Sequence, residues 1–155
     1  MILESRVDVP IPVDAAWEWF QDLSHWDFFF DSFYGKHDFF RHQTQSVEGK
    51  PNQVRVLLAD RTGKKHALWD VIEWRRPNRM AFTGKQTGEN EVLLQMAVDL
   101  EPVPEAPKPS TRIRIRLDML FKSRLLKMLC ALPPVKYIYR WQFARALQAV
   151  KFSIV

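Results

Sequence analysis

The chain has one cysteine, Cys130, in 155 residues. A lone thiol cannot close an internal bridge, so nothing in the sequence asks for an oxidising compartment. Cys130 also sits in an apolar helical run, where a free cysteine reads as a small buried hydrophobe rather than a nucleophile. Glycine is sparse, at five residues, and neither a glycine-rich phosphate loop nor a nucleophile elbow occurs. The histidines, His25, His37, His42 and His66, lack metal-ligand spacing, and no cofactor or metal is expected. Every apolar run breaks well short of the roughly 20 residues a spanning helix needs. The opening residues, Met1-Ile2-Leu3-Glu4-Ser5-Arg6, have no basic segment followed by an apolar one, so no signal peptide is expected. The expectation is a soluble, cytoplasmic protein.

What is present is apolar and aromatic. Hydrophobic residues make up 46% of the chain, with eleven Phe, six Trp and three Tyr. Rings supply large apolar area of defined shape, which suits a core or a pocket wall. A net charge of +5 is modest and demands no anionic partner. The length fits one domain spanning 1–155, large enough to bury roughly 70% of its unfolded surface without disulfides or metal.

The order of elements narrows the fold. Leu3, Val7 and Val9 alternate with Glu4, Arg6 and Asp8, which is the period of a half-buried strand. A corner at Pro10-Ile11-Pro12 leads to a short Trp-rich helix around Trp17, and a second short helix is expected from Ser24 to Phe33. Strands are expected at 36–47, 53–61, 66–74, 79–85, 91–100 and 111–121. Prolines 102, 104, 107 and 109 cannot pair inside a sheet, so Pro102 to Pro109 should be an exposed loop. The remainder reads as helical, broken at Pro133-Pro134.

Parity orients the sheet. In 92–100 the even positions are apolar, and in 111–119 the odd ones are. Arg112, Arg114 and Arg116 therefore share a face, with acidic candidates on both neighbouring strands. No aromatic interleaves them, so they read as a solvated face of cross-strand ion pairs and not as a nucleic-acid site. For 66–74 the parity is ambiguous. If Leu68, Ile72 and Trp74 face inward, so do His66 and Asp70, about 13 Å apart and too far for a direct hydrogen bond. Trp69 and Val71 form an equally plausible inner set, which would leave Asp70 in solvent, the reading preferred here.

The closing helix carries Val135, Tyr139, Phe143, Ala146, Leu147, Val150 and Ile154 on one side. Tyr137, Ile138, Trp141 and Phe152 lie on the other and need a cover, either the short helices around Trp19 to Phe33 or, the reading preferred here, a second copy of the chain. Residues 121–132 form a basic, leucine-rich segment. Its apolar side is expected to pack on its own domain rather than on an anionic membrane.

The order strand, two short helices, six strands, long helix resembles the helix-grip fold of the START and polyketide-cyclase superfamily (SRPBCC). The resemblance rests on Val9-Pro10-Ile11-Pro12-Val13-Asp14-Ala15-Ala16-Trp17, on Asp22-Leu23 with Trp26, and on Trp69-Asp70-Val71-Ile72-Glu73. It continues in Pro77-Asn78-Arg79-Met80-Ala81-Phe82, Leu100-Glu101-Pro102 and Ser110-Thr111-Arg112. One departure is the basic segment before the final helix, where that superfamily usually has a glycine-containing stretch. The resemblance implies an α+β domain in which a curved, seven-stranded antiparallel sheet wraps a long C-terminal helix. It also implies a cavity between them for a lipid, polyketide or other apolar molecule.

Candidate ligand-binding residues are Phe30, Asp70, Phe82, Leu94, Met96, Val98, Leu117, Tyr139 and Phe143, chosen where the apolar sheet parity meets the helix stripe. Two functions remain open, ahead of a third in which the chain is an interaction module that presents the Trp141 face or the basic helix to a membrane or partner. One is a binder or carrier of an apolar small molecule. The other is a cyclase- or dehydratase-type enzyme acting in the same cavity. Two or more buried ionisable groups converging on one point would favour the enzyme, and a single polar group would favour the binder.

Overall fold

A computed structural model describes residues 1–22, 25, 41–46, 53–59, 67–86 and 91–154. Its elements are β1 (Ile2–Val9), α1 (Val13–Gln21), β2 (Arg41–Ser46), β3 (Gln53–Ala59), β4 (Ala67–Arg75), β5 (Arg79–Gln86), β6 (Val92–Pro102), β7 (Thr111–Phe121), α2 (Arg124–Ala131) and α3 (Pro133–Ile154). The expected second short helix, apart from His25, and the expected turn at 47–52 lie outside the described residues.

The strands form one open antiparallel sheet in the order β1-β7-β6-β5-β4-β3-β2. The first and last strands in the chain are therefore neighbours, and β1 runs against β7 from Ile2↔Asp118 to Val9↔Thr111. Strict alternation fixes which face is buried. Val92, Leu94, Met96, Val98 and Leu100 are buried on β6, as are Ile113, Ile115, Leu117 and Met119 on β7. A one-residue slip in either strand would turn all of these to solvent, so register is strongly specified.

Among the described residues, two helices cover the inner face. Helix α1 begins after Pro12 and buries Ala16, Trp17 and Phe20, while Asp14 in its first turn suits the positive end of the helix dipole. Past its end, His25 stacks on Trp19 with its Nδ1 2.7 Å from the Trp19 carbonyl, a local structural role. Helix α3 starts at Pro133, where a missing N–H costs nothing. It buries Phe143, Ala146, Leu147 and Val150 in the same cluster as the sheet. Each such side chain contributes about 1.5–3 kcal/mol when fully buried, apart from the small Ala146.

The ambiguity in β4 has a structural answer. Val71 pairs with Phe82 and Trp74 pairs with Met80, but the register shifts between Val71 and Glu73. The bulge absorbs one residue, Ile72, which is 61% exposed. Paired residues share a face, so Val71 and Trp74 both turn toward the core face held by Phe82 and Met80, although they are three apart. Each inner set read from the sequence therefore holds on one side of the bulge. Ile72 corrects the set that placed it inward with Trp74.

The outer face is charged and internally paired. Arg112 donates to both oxygens of Asp8, at 2.9 and 3.0 Å. Arg114 reaches Glu101 at 3.1 Å, and Arg79 bridges Glu73 at 3.0 Å and Asp99 at 2.6 Å. The ion pairs expected of the arginine stripe are therefore present for Arg112 and Arg114. Exposed pairs of this kind stabilise by about 0.2–1 kcal/mol each. In this register Arg6 stands directly opposite Arg114, a like-charge pairing that the Glu101 carboxylate on Arg114 helps to offset. The proline-rich stretch is a loop closed by Val103 N–H donating to the Ser110 carbonyl at 2.9 Å.

Candidate functional site

The sheet brings the sequence-selected apolar residues together. Phe82 on β5 stands opposite Met96 on β6, and Met96 stands opposite Leu117 on β7. Leu94 and Val98 flank Met96 two residues away on the same face, as period two requires. Phe143 meets them from α3, and all six belong to one buried cluster. Tyr139, one helical turn before Phe143, is partly buried against it. Burial pushes the Tyr139 phenol above its ordinary range, with Cys130 of α2 adding to the effect. Phe30 lies outside the described residues.

Asp70 does not join this group. It pairs with Thr83, which pairs in turn with the exposed Gln95, so Asp70 belongs to the outer side of the sheet. Its place in the inner set is corrected by the pairing on the Val71 side of the bulge. One of its carboxylate oxygens, Oδ1, is buried without a hydrogen-bond partner among the described residues.

The interior polar atom that sequence reasoning missed is the indole N–H of Trp17. Trp17 is fully buried, and Nε1 has no acceptor among the described residues. A buried donor left unmade costs about 1–3 kcal/mol. The ring sits edge-on to Trp74, with centroids 5.1 Å apart, and Trp74 sits edge-on to Phe82 at 6.4 Å. The three rings link α1 to the sheet face. The Trp-rich helix is visible in the sequence, but which indole lacks an acceptor depends on packing alone. The other buried polar side chain among the described residues is Thr111, whose hydroxyl donates to the Ile11 carbonyl at 2.7 Å.

The chemistry open to such a face is apolar contact plus hydrogen bonding from the buried Trp17 N–H and the half-buried Tyr139 phenol. Among the described residues, the inner face brings no two carboxylates or histidines together, and no group of three metal-ligating side chains occurs. The described hollows lie on other surfaces. One of about 240 Å³ sits on the outer face near Ile72, Ala97 and Arg116. Another, of about 560 Å³, lies where the β4–β5 turn meets Asp99 and Glu101.

Helix α2 departs from expectation. Ser123 caps it, accepting from the Leu126 N–H at 3.4 Å. Cys130 is buried, but Leu125 and Met128 are 67% and 71% exposed, and Leu129 and Leu132 are also exposed. Part of the apolar side of this helix, at Leu126 and Cys130, therefore packs on its own domain, and the larger part does not. On α3, Tyr137, Ile138, Trp141 and Phe152 are exposed as well. No described helix is long and apolar enough to cross a membrane.

An open antiparallel sheet closed on its inner face by a C-terminal helix defines an α+β domain of a kind seen in conserved bacterial proteins. A crystal structure of a Thermus thermophilus protein matches with a TM-score of 0.68 at 14% identity, covering 99% of this chain and 97% of that one. One from Deinococcus radiodurans matches with a TM-score of 0.66 at 13% identity, covering 99% and 96%. DynU16, a protein in the dynemicin biosynthetic locus, matches with a TM-score of 0.51 at 18% identity over 95% of this chain and 47% of its own. At these identities the likeness is one of fold. No family model and no curated protein matches the chain.

Proposed function

We propose that this is a helix-grip domain of the SRPBCC kind that binds an apolar small molecule between the inner sheet face and α3. The observation that carries the reading is the inner face itself. It is lined by aliphatic and aromatic side chains around one fully buried donor that has no partner among the described residues, Trp17 Nε1. One buried N–H amid apolar walls suits a ligand with a carbonyl, ether or hydroxyl oxygen on a hydrophobic body, such as a lipid or polyketide. The ligand oxygen would supply the acceptor that the protein does not.

The enzyme reading, a cyclase or dehydratase, needs a positioned acid or base at the reacting centre. Moving Asp70 to the outer side removes the carboxylate that could have served. Binding is therefore the function the described residues support best, in a cytoplasmic protein.

Native mass spectrometry of freshly purified protein tests it. A stoichiometric, apolar co-purifying mass that Trp17→Phe releases more readily supports the reading. A chain that carries no ligand and fails to take up an environment-sensitive apolar dye overturns it.

A further inference from the structure

Charge is distributed unevenly along this chain. After Asp118 there is no acidic residue, while seven lysines and arginines occur. The preceding 118 residues carry a net charge of −2. Almost none of the late positive charge is neutralised by the described residues. Among them only Lys122 has a carboxylate within 4.0 Å, the side chain of Glu91 at 2.7 Å. Arg145 lies instead over the ring of Trp141, 5.4 Å from its centroid.

The same stretch exposes apolar side chains in order. Leu125, Met128 and Leu129 fall at i, i+3 and i+4 on one face of α2, Leu132 caps its C-terminus, and all four are exposed. Arg124 lies at the edge of that face, whereas Lys127 falls toward the opposite side of the helix, near the side on which Cys130 is buried. The chain then turns at Pro133 into α3, where Tyr137, Ile138 and Trp141 are exposed.

We infer that α2 and the exposed side of α3 form a docking surface for an anionic lipid bilayer. The leucines and Met128 enter the boundary between headgroups and acyl chains. Arg124 beside the leucines and Arg145 beside Trp141 meet the anionic headgroups, and Trp141 and Tyr137 sit at the headgroup level that amphipathic rings favour. Charge selects this occupant over a second copy of the chain. A symmetric dimer through α2 would set the cations of one copy, which α2 and α3 balance with no acid of their own, against those of the other, which is repulsive. An anionic membrane supplies the missing counter-charge. This inference is independent of the reading of the interior, since none of its residues belongs to the buried cluster.

The test uses the full chain and vesicles of phosphatidylcholine with or without phosphatidylserine. Co-sedimentation is expected with the anionic vesicles at low salt, and it should weaken as salt screens the charges. The double variant Arg124→Gln/Arg145→Gln should lower partitioning roughly 30-fold. Met128→Glu should abolish it, with an unchanged far-ultraviolet circular dichroism spectrum, because position 128 is exposed. Equal binding to neutral and anionic vesicles, or none to either, overturns the inference. So does a concentration-dependent dimer that Met128→Glu dissolves while vesicle binding stays absent.

Discussion

Trp17 of α1 meets Trp74 of β4 edge to face, with ring centroids 5.1 Å apart and planes at 73°. The contact ties the short helix to the sheet just beyond the β4 bulge. It also holds Trp17 where its N–H finds no acceptor among the described residues. Size and hydrogen bonding can be separated at this position. Trp17→Ala should cost about 3–5 kcal/mol, the usual loss for a buried large aromatic. Trp17→Phe should cost under about 1.5 kcal/mol, because it keeps a ring and removes a donor that makes no bond. Urea denaturation measures both. Equal losses for the two variants would mean that the N–H is bonded in solution.

The α3 stripe gives a second contrast. Phe143 is fully buried and Trp141, two residues earlier, is exposed. Phe143→Ala should cost about 3–5 kcal/mol. Trp141→Ala should change stability by no more than about 0.5 kcal/mol in the absence of a partner. A large loss at Trp141 in a strict monomer would mean that the outer side of α3 is covered by the domain itself.

The bulge at Ile72 makes a sharper prediction. Ile72→Ser replaces an exposed side chain and should shift stability by less than about 0.5 kcal/mol. Deleting Ile72 should be far worse. Without the extra residue, Val71 and Trp74 cannot both face the core, and one end of β4 must turn its apolar side to water. The deletion should lose the cooperative thermal transition that Ile72→Ser keeps. If both variants melt alike, β4 does not depend on the bulge.

That bulge also marks where sequence reading stops. Alternation in β6 and β7 and the stripe on α3 set the inner face without ambiguity, because each pattern runs unbroken over its element. In β4 the pattern changes phase within the strand, so either parity fits half of it. Placing Asp70 inward extends one half through the break. The exposure of α2 is hidden for a different reason. Its residues are amphipathic, and periodicity says which side is apolar but not what stands opposite. The unpaired Trp17 N–H is beyond reach, since it depends on separate elements meeting.

The last prediction concerns acid. Glu91, just before β6, accepts from Lys122 at 2.7 Å and forms an ion pair with Lys85. Lys122 also donates its backbone N–H to the Glu91 carbonyl at 3.2 Å, so the pair fastens the start of β6 to the approach to α2. The hydrogen bond from Lys122, then that from Lys85, lowers the Glu91 carboxyl from 4.5 to about 2. A carboxylate depressed in the folded state stabilises it above the unfolded value, and that contribution fades as pH falls toward the folded value. The stability gap between wild type and Glu91→Gln should therefore be full at neutral pH and close between about pH 4.5 and 2. Denaturant midpoints of the two proteins across that range measure it. High salt should shrink the gap at every pH, because these side chains are reachable by solvent. A gap that holds constant down to pH 2 would show that Glu91 acts through shape and not through charge.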